Sequence, residues 1–591
     1  MPGTVVELRD LIEPHMMAED ISQKYTHWSQ KRSGKENEWV ELRNYLFATD
    51  TTTTSNSNLP WKNKTTIPKL TQIRDNLHAN YMSALFPNDN WLIWEGHSTD
   101  GVEKGKASTI QDYMRNKVRI SGFQKVVSRL LYDYIDYGNA ICDIEYVHES
   151  HRDPQSEEMI DGYVGPRLVR ISPFDIVFNP TAPSFEESPK ITRTIKTMGE
   201  IMEQAETKPE LNYSKEVLAH AQEVRRRIAS HGRSDNLKTE GYQMDGFDSI
   251  HDYYESGYVE ILEFQGTLHD ESGKLHRDRL ITIIDRTLVV RDEPNPRWNG
   301  GDGMSHVAWR MRPDNLYGMG PLDNLVGMQY RIDHLENIKA DLFDLIAHPP
   351  LKIKGNVEAF DWAPFVQIIL GDDGDVEILK VDTTALQADN MIAILEQKME
   401  EFAGAPREAM GIRSPGEKTA FEVQKLDDAA GRIFQEKIRQ FEEFVMEPAL
   451  NNMLESARRN MNQKDIVRTI DDDFGVVRFI DITKDDISSE GKLRAKGAQH
   501  FAARNLLIQN LTAVFNGPIG ELIAPHISSI KLAKMVEEAF GWQKFDLVSS
   551  NIAVREQQQM LREQNTAQDQ LDNEQAVAAE EPLSEEDIPP G

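Results

Sequence analysis

The sequence predicts an α+β protein, predominantly helical, built from several packed units. Three observations carry that prediction. Apolar residues recur at steps of three and four through two long stretches, Leu325 to Leu345 and Val423 to Ala457, each an amphipathic helix. Between Ala140 and Arg291 β-branched runs alternate with polar inserts, without the regular βαβ rhythm of a nucleotide-binding sheet. The chain has 591 residues, too many for a single hydrophobic core, and 39% of them are hydrophobic, enough to fill several.

Taken in order, Val5 to Tyr45 is a polar amphipathic segment with Trp28, Trp39, Leu42 and Tyr45 as its apolar contacts, and the run Thr51–Asn58 breaks it. The basic stretch Lys62–Lys69 leads into a helix marked by Leu70, Ile73, Leu77, Tyr81 and Leu85, ended by Phe86-Pro87. That stretch suits contact with DNA or an acidic neighbour, or a solvated turn. Two more helices follow, over Val102–Val118 and over Phe123–Ile135. Gly138 then opens a strand from Ala140 to Val147, and residues 163–178 supply more strand. Met198–Asp245 is polar and helical, and its low apolar content predicts a peripheral excursion. Strands return at Tyr258–Phe264, Leu280–Asp285 and Thr287–Arg291, the last two a hairpin around Asp285-Arg286.

The next stretch organises the rest. Leu325, Met328, Ile332, Leu335, Ile338, Leu342 and Leu345 form one apolar stripe on a helix that stops at His348-Pro349-Pro350. From Pro321 to Ala347 that helix would be roughly 40 Å long. The runs Leu351–Gly355, Val366–Leu370 and Val376–Lys380 read as a small insert with a hairpin turn at Gly371-Asp372-Asp373-Gly374-Asp375. Helix resumes near Leu386, breaks over 404–418, and returns at Thr419 for about ten turns to Met461, with Pro448 placed to kink it. One strand, Val476–Ile480, is expected next, and then helices over Lys492–Leu511, Ile519–Ile527 and Lys531–Phe540. The tail from Glu556 is rich in Gln and acid; a four-three pattern through Met560, Gln564, Ala567 and Leu571 suits either a weak heptad or a solvated helix.

This order of parts resembles the portal proteins of tailed bacteriophages, and of a short-tailed type in particular. Supporting segments are Thr419-Ala420-Phe421-Glu422-Val423, Tyr137-Gly138-Asn139-Ala140 and Ile171–Pro180. The resemblance implies a ring subunit with wing, stem, clip and crown: wing over 1–320, stem helices over 321–348 and 385–403, clip over 349–384, and tunnel loop over 404–418. It further implies a long helix with wing closure over 419–489, a crown over 490–555 and a tail or helical barrel over 556–591. On that resemblance the chain forms a homo-oligomer of about twelve copies at a capsid vertex of the virion, assembled in the host cytoplasm. Double-stranded DNA would pass through its channel, and its partners would be the major capsid protein, the terminase large subunit and tail adaptor proteins. Arg407, Arg413 and Lys418 in the tunnel loop would face DNA; Lys352, Lys354, Asp372, Asp373 and Asp375 in the clip would dock partners.

Composition and motif searches bound the alternatives. A net charge of −31 disfavours a reader of DNA sequence, which needs a basic footprint; the portal resemblance implies a conduit through which a polyanion passes without sticking, whereas acidity by itself suits solubility alone. No apolar run reaches the length needed to cross a bilayer and no leader opens the chain, so neither membrane insertion nor secretion is expected. Cys142 is the only cysteine, which excludes an intrachain disulfide and a cysteine-clustered zinc site. Gly411–Thr419 comes within one insertion of a phosphate-binding P-loop, but Glu417 separates the glycine from the lysine and a helix precedes it, so no nucleotide site is expected. His148 and His151 are expected in a polar turn after a strand, and Gly371–Asp375 lacks the alternating acids of a calcium loop. No enzyme, cofactor or metal is therefore predicted. The competing classes are a helical scaffold protein without a DNA channel and a nucleotide-driven motor. The broad stripe through Phe421, Phe434, Phe441 and Phe444 argues against the coiled-coil seam a scaffold would need.

Overall fold

The structure, a computed structural model, describes residues 16–87, 91–96, 101–152, 159–207, 211–231, 257–269, 275–298, 301, 303–358, 368–379, 384–403, 433–461, 465–470 and 477–495. The chain divides into two compact units, Met1–Thr469 with Phe479–Ala498, and Ile470–Arg478 with Gln499–Gly591. The second is described only at Ile470, Val477 and Arg478. The first mixes helix and strand throughout.

The N-terminal part of the first unit is helical. Helix α1 (Met16–Leu46) is followed by two 3₁₀ turns (Thr51–Thr53 and Ser55–Asn58), α2 (Lys69–Leu85), strand β1 (Leu92–Gly96), α3 (Gly101–Ile120) and α4 (Phe123–Asp136). The apolar spacing that predicts α2 and α4 is what they bury: Leu70, Ile73, Leu77, Tyr81 and Leu85 on one, Phe123, Val127, Leu130, Leu131 and Ile135 on the other.

Two antiparallel sheets follow. Strands β2 (Asn139–Arg152) and β3 (Met159–Ile171) join a later strand in a three-stranded sheet. Strands β4 (Ile176–Phe178) and β5 (Lys190–Thr197) lead to helices α5 (Met198–Thr207) and α6 (Lys215–His231), then β6 (Tyr258–His269), β7 (Leu275–Ile284) and β8 (Leu288–Pro294). The five strands β4 to β8 form one sheet in chain order. Asp285 and Arg286 are the central pair of its last tight turn, closed by Thr287 N donating to Ile284 O at 3.1 Å, with φ of 51° and 61°, the left-handed pair that a type I′ turn requires.

Alternate residues of this sheet face opposite ways. Leu262, Phe264, Ile281 and Ile283 meet Met17, Ala18, Ile21 and Tyr25 of α1 on one face. Val259, Ile261, Ile284 and Val290 meet Ile201 and Leu218 of α5 and α6 on the other. The described part of the polar stretch after Met198 is thus no peripheral excursion. A few well-spaced apolar residues suffice to cover a sheet face, so mean polarity is a poor guide to its place.

Two of the portal-like motifs have local explanations. Gly138 has φ of 68°, and a Cβ there would lie 2.3 Å from the backbone of Met319 and Gly320, so no larger residue fits. The buried Asn139 then bonds across the same junction, its Oδ1 accepting from Gly318 N at 2.9 Å. In Ile171–Pro180 the loop before β4 leaves carbonyls turned inward. The buried guanidinium of Arg32 on α1 donates to those of Pro173 and Phe174, each at 2.8 Å, and of Ile176.

Strand β9 (Ser305–Ala308) completes the three-stranded sheet in the order β3-β2-β9. A short hairpin, β10 (Arg310–Arg312) with β11 (Asn315–Met319), leads through a 3₁₀ turn (Asp323–Leu325) to α7 (Val326–Ala347). Strands β12 (Leu351–Lys354) and β13 (Asp375–Ile378) are followed by α8 (Asp389–Phe402). Of the long helix expected over 419–461, residues 419–432 lie outside the described part. Helix 433–441 passes through a π turn (Glu442–Met446) into α9 (Glu447–Asn460). Pro448 falls in the first turn after that wide turn, where its missing N–H costs the ladder little.

Strands β14 (Asp465–Ile470), β15 (Val477–Ile482) and β16 (Gly491–Ala495) close the described chain. Sequence alone predicts only the second of them. It places residues 492–495 at the start of a helix, but Gly491–Ala495 pair antiparallel with β1, from Leu92↔Ala495 to Gly96↔Gly491. Leu493 and Ala495 alternate inward there, so a distant strand edge overrides the helical propensity of Lys-Leu-Arg-Ala. The remaining expected crown helices and the C-terminal tail lie outside the described residues.

Candidate interaction arm

Helix α7, the β12–β13 hairpin and α8 form an arm. Its helices are joined by Lys339, whose Nζ lies 2.8 Å from Asp389 Oδ1 and 2.9 Å from Glu336 Oε1. The hairpin is antiparallel, with Leu351 opposite Ile378, Lys352 opposite Glu377, Ile353 opposite Val376 and Lys354 opposite Asp375. By strand alternation this makes one apolar face, Leu351, Ile353, Val376 and Ile378, and one charged face. Half of the apolar face is open: Ile353 is 52% and Ile378 54% exposed, Leu351 and Val376 are half-buried, and Ile369, close by, is 63% exposed. Openness continues along the helices at Phe343, Leu345 and Ile346 of α7 and at Met391, Ile394 and Phe402 of α8.

The clip residues singled out from the sequence lie on this hairpin. Lys352 Nζ is 3.2 Å from Glu377 Oε2, an exposed pair of small energetic weight. Lys354 and Asp375 share a register position. Asp372 and Asp373 are exposed in a turn closed by Gly374 N donating to Gly371 O at 2.9 Å. That turn is not the tip of a hairpin. Val357 bridges Leu370, and Gly371 N donates to Asn356 O at 2.9 Å, so pairing continues on both sides of Gly371–Asp375. The segment is a bulge in one arm, seated on Gly355, whose φ is 74° and whose Cβ would come within 1.9 Å of Asp373 O. Turn residues read locally pair Val376–Lys380 with the wrong neighbour. Arg407, Arg413 and Lys418 lie outside the described residues.

The largest surprise is the face that α7 buries. Of the sequence stripe, Leu325, Ile332 and Leu335 are buried, Met328, Ile338 and Leu342 are half-buried and Leu345 is exposed, while Gln329, Asp333 and Asn337, which the stripe does not include, are buried. Gln329, Asp333, Asn337 and Asp341 stand four apart, on one line of the helix. Together they read the backbone of the extended segment 62–67. Asp341 accepts from Lys62 N at 3.1 Å and Asn63 N at 2.9 Å. Asn337 Oδ1 accepts from Thr65 N at 2.8 Å, while its Nδ2 donates to Thr65 O at 2.8 Å. Asp333 accepts from Ile67 N, Thr66 Oγ1 and Gln329 Nε2, at 3.0, 3.0 and 2.9 Å. Gln329 also donates to Ile67 O and accepts from Leu70 N.

Burial pushes the Asp333 carboxyl up to about 6, against the pull of its donors. Two residues past the segment, Lys69 Nζ meets Glu400 Oε1 of α8 at 2.7 Å in a buried pair. The basic stretch predicted as a partner contact or a solvated turn is therefore bound to both arm helices, through its backbone and Lys69. Two amides and two acids alternating every four residues beside the apolar stripe, Gln329, Asp333, Asn337 and Asp341, were the available signal.

Among the described residues, no group of three or more His, Cys, Asp or Glu is placed to hold a metal, and no helix is long and apolar enough to cross a membrane. Cys142 is buried, and its thiol is pushed up to about 12 by that burial. No known family model and no curated protein matches the chain.

Proposed function

We propose that the protein is a portal-like ring subunit, in which copies pack side by side around a channel that passes double-stranded DNA at one capsid vertex. The observation that supports this reading best is the arm: two helices and a two-stranded hairpin that leave Ile353, Ile378, Phe343, Ile346, Ile394 and Phe402 exposed. Two strands with a half-open apolar face are marginal alone in water, and neighbouring copies of the same arm would supply the missing cover. The order of helix, hairpin insert and returning helix supports the stem and clip reading, and the packing of α9 against β2 and β3 supports the wing. In this reading the hairpin's charged face docks the terminase large subunit during filling and tail adaptors afterwards, while the wing meets the major capsid protein. The acidic balance of −31 keeps the wall from gripping the passing polyanion.

Electron microscopy of the purified chain, paired with mass by light scattering, tests the reading. Rings with a central hole and a mass of about twelve times 67.4 kDa are expected. Filaments or parallel dimers would sink it in favour of a helical scaffold.

A further inference from the structure

We propose that residues 59–68 are a releasable strap that fixes the arm against the body, and that lifting the strap frees the arm to swing. The inference does not depend on the ring reading. It stands on how the strap is held. From Ser57 to Pro68 no side chain is buried, whereas Asn56 before it and Lys69 after it are. The segment is tied down by the α7 side chains Gln329, Asp333, Asn337 and Asp341 and by a backbone bond to the preceding turn, Thr51 N to Lys64 O at 3.1 Å.

Hydrogen bonds of this kind can be exchanged for bonds to water, so lifting the strap strips no apolar core. The face it uncovers on α7 is already polar. Trp61, stacked edge-on to His334 with ring centroids 5.0 Å apart, is only half-buried and adds the main apolar contact. The strap also spans the arm's two helices, with its backbone on α7 and the adjoining Lys69 on Glu400 of α8. Further out, Phe343–Ala347 of α7 are exposed, and α8 buries only Ile392, Met399 and Glu400 along its length. At its root α7 is also held by the buried Ile332 and Leu335 and by Asn56 Nδ2 donating to Tyr330 O at 3.4 Å, but among the described residues the outer arm has little besides the strap to hold its angle.

Hydrogen exchange read by mass spectrometry on the full chain tests this, together with spin-label distances. Cys142 is buried, so labels can be placed through Ile346→Cys on the arm and Glu216→Cys on the body, with labelled chains diluted into unlabelled ones. The expected result is exchange across 62–67 at least about ten-fold faster than in α2 and insensitive to low urea, the mark of local opening. Asn337→Ala should speed it further, leave α2 unchanged and broaden the distance between the two labels. Strap amides that exchange only with α2, with the same urea dependence, would overturn the proposal in the unaltered chain, whatever the variant does. Faster strap exchange in Asn337→Ala with an unchanged label distance would overturn the swing.

Discussion

The five-stranded sheet of the body and the two-stranded hairpin of the arm use similar residues to opposite ends. Both are antiparallel and both carry Ile and Val at alternate positions. In the body sheet each face is covered, one by α1 and the other by α5 and α6. In the arm the apolar side of β12 and β13 lies half open among the described residues, although the residue types are the same. Strand character therefore says little about burial. Covered strands stabilise the body; a two-stranded hairpin with part of its apolar face exposed gains little from its own chain. That contrast can be broken or sharpened by substitutions on either side of it.

The largest effect belongs to the body. Phe264 is fully buried between α1 and the neighbouring strands, and Phe264→Ala removes a ring whose space the packed sheet cannot reclaim. A loss of about 3–5 kcal/mol is expected, read as a lower urea midpoint. An unshifted midpoint would mean that the body sheet tolerates voids and that the contrast with the arm is false.

A middling effect belongs to the strap, at the junction between the two regions. Asp333 has its carboxyl raised to about 6 in the fold, above its ordinary value of 3.8. A carboxyl raised by folding contributes stability that is fully present below the unfolded value and is lost as pH rises through the folded one. The stability difference between the wild type and Asp333→Asn should therefore move in favour of the wild type as pH falls from about 7.5 to about 5, by about 1–2 kcal/mol, and level off below about 4. His306, held well below its usual range by burial, titrates in the opposite sense, but it is common to both proteins and cancels in the difference. A difference flat with pH would mean that Asp333 is not desolvated by the strap.

How much of this was legible in the sequence depends on where each partner lies. Helices α2 and α4 and the Asp285-Arg286 hairpin are specified by neighbours in the chain, through apolar spacing or a turn, and they stand where the sequence puts them. Strand β16 depends on β1, far upstream, and nothing in Gly491–Ala495 announces that edge. The β12–β13 register depends on a bulge at Gly371–Asp375 that mimics a hairpin turn. On α7 the sequence misleads for a different reason. Apolar periodicity assumes that helices bury hydrocarbon, and this one buries Gln329, Asp333 and Asn337 against a backbone while leaving part of its apolar stripe uncovered. The pairing of Lys352 with Glu377 and of Lys354 with Asp375 across the hairpin follows from the β12–β13 register and is not legible in the local sequence.

The smallest expected effect on stability separates the two regions most cleanly. Ile353 and Ile378 lie near one another on the uncovered face of the hairpin, each more than half exposed in the isolated chain. Replacing both by Ser removes almost no buried area from a single subunit, so the urea midpoint of the monomer should shift by less than about 0.5 kcal/mol. The same double substitution removes apolar surface that a neighbouring copy would cover, so light scattering should show the assembly falling to a mass near 67.4 kDa. If the monomer were strongly destabilised instead, the hairpin would be packing against its own chain and the arm would be part of the body. If stability and assembly were both unchanged, the uncovered face would not be where copies meet, and the open residues of α7 and α8 would have to carry the contact.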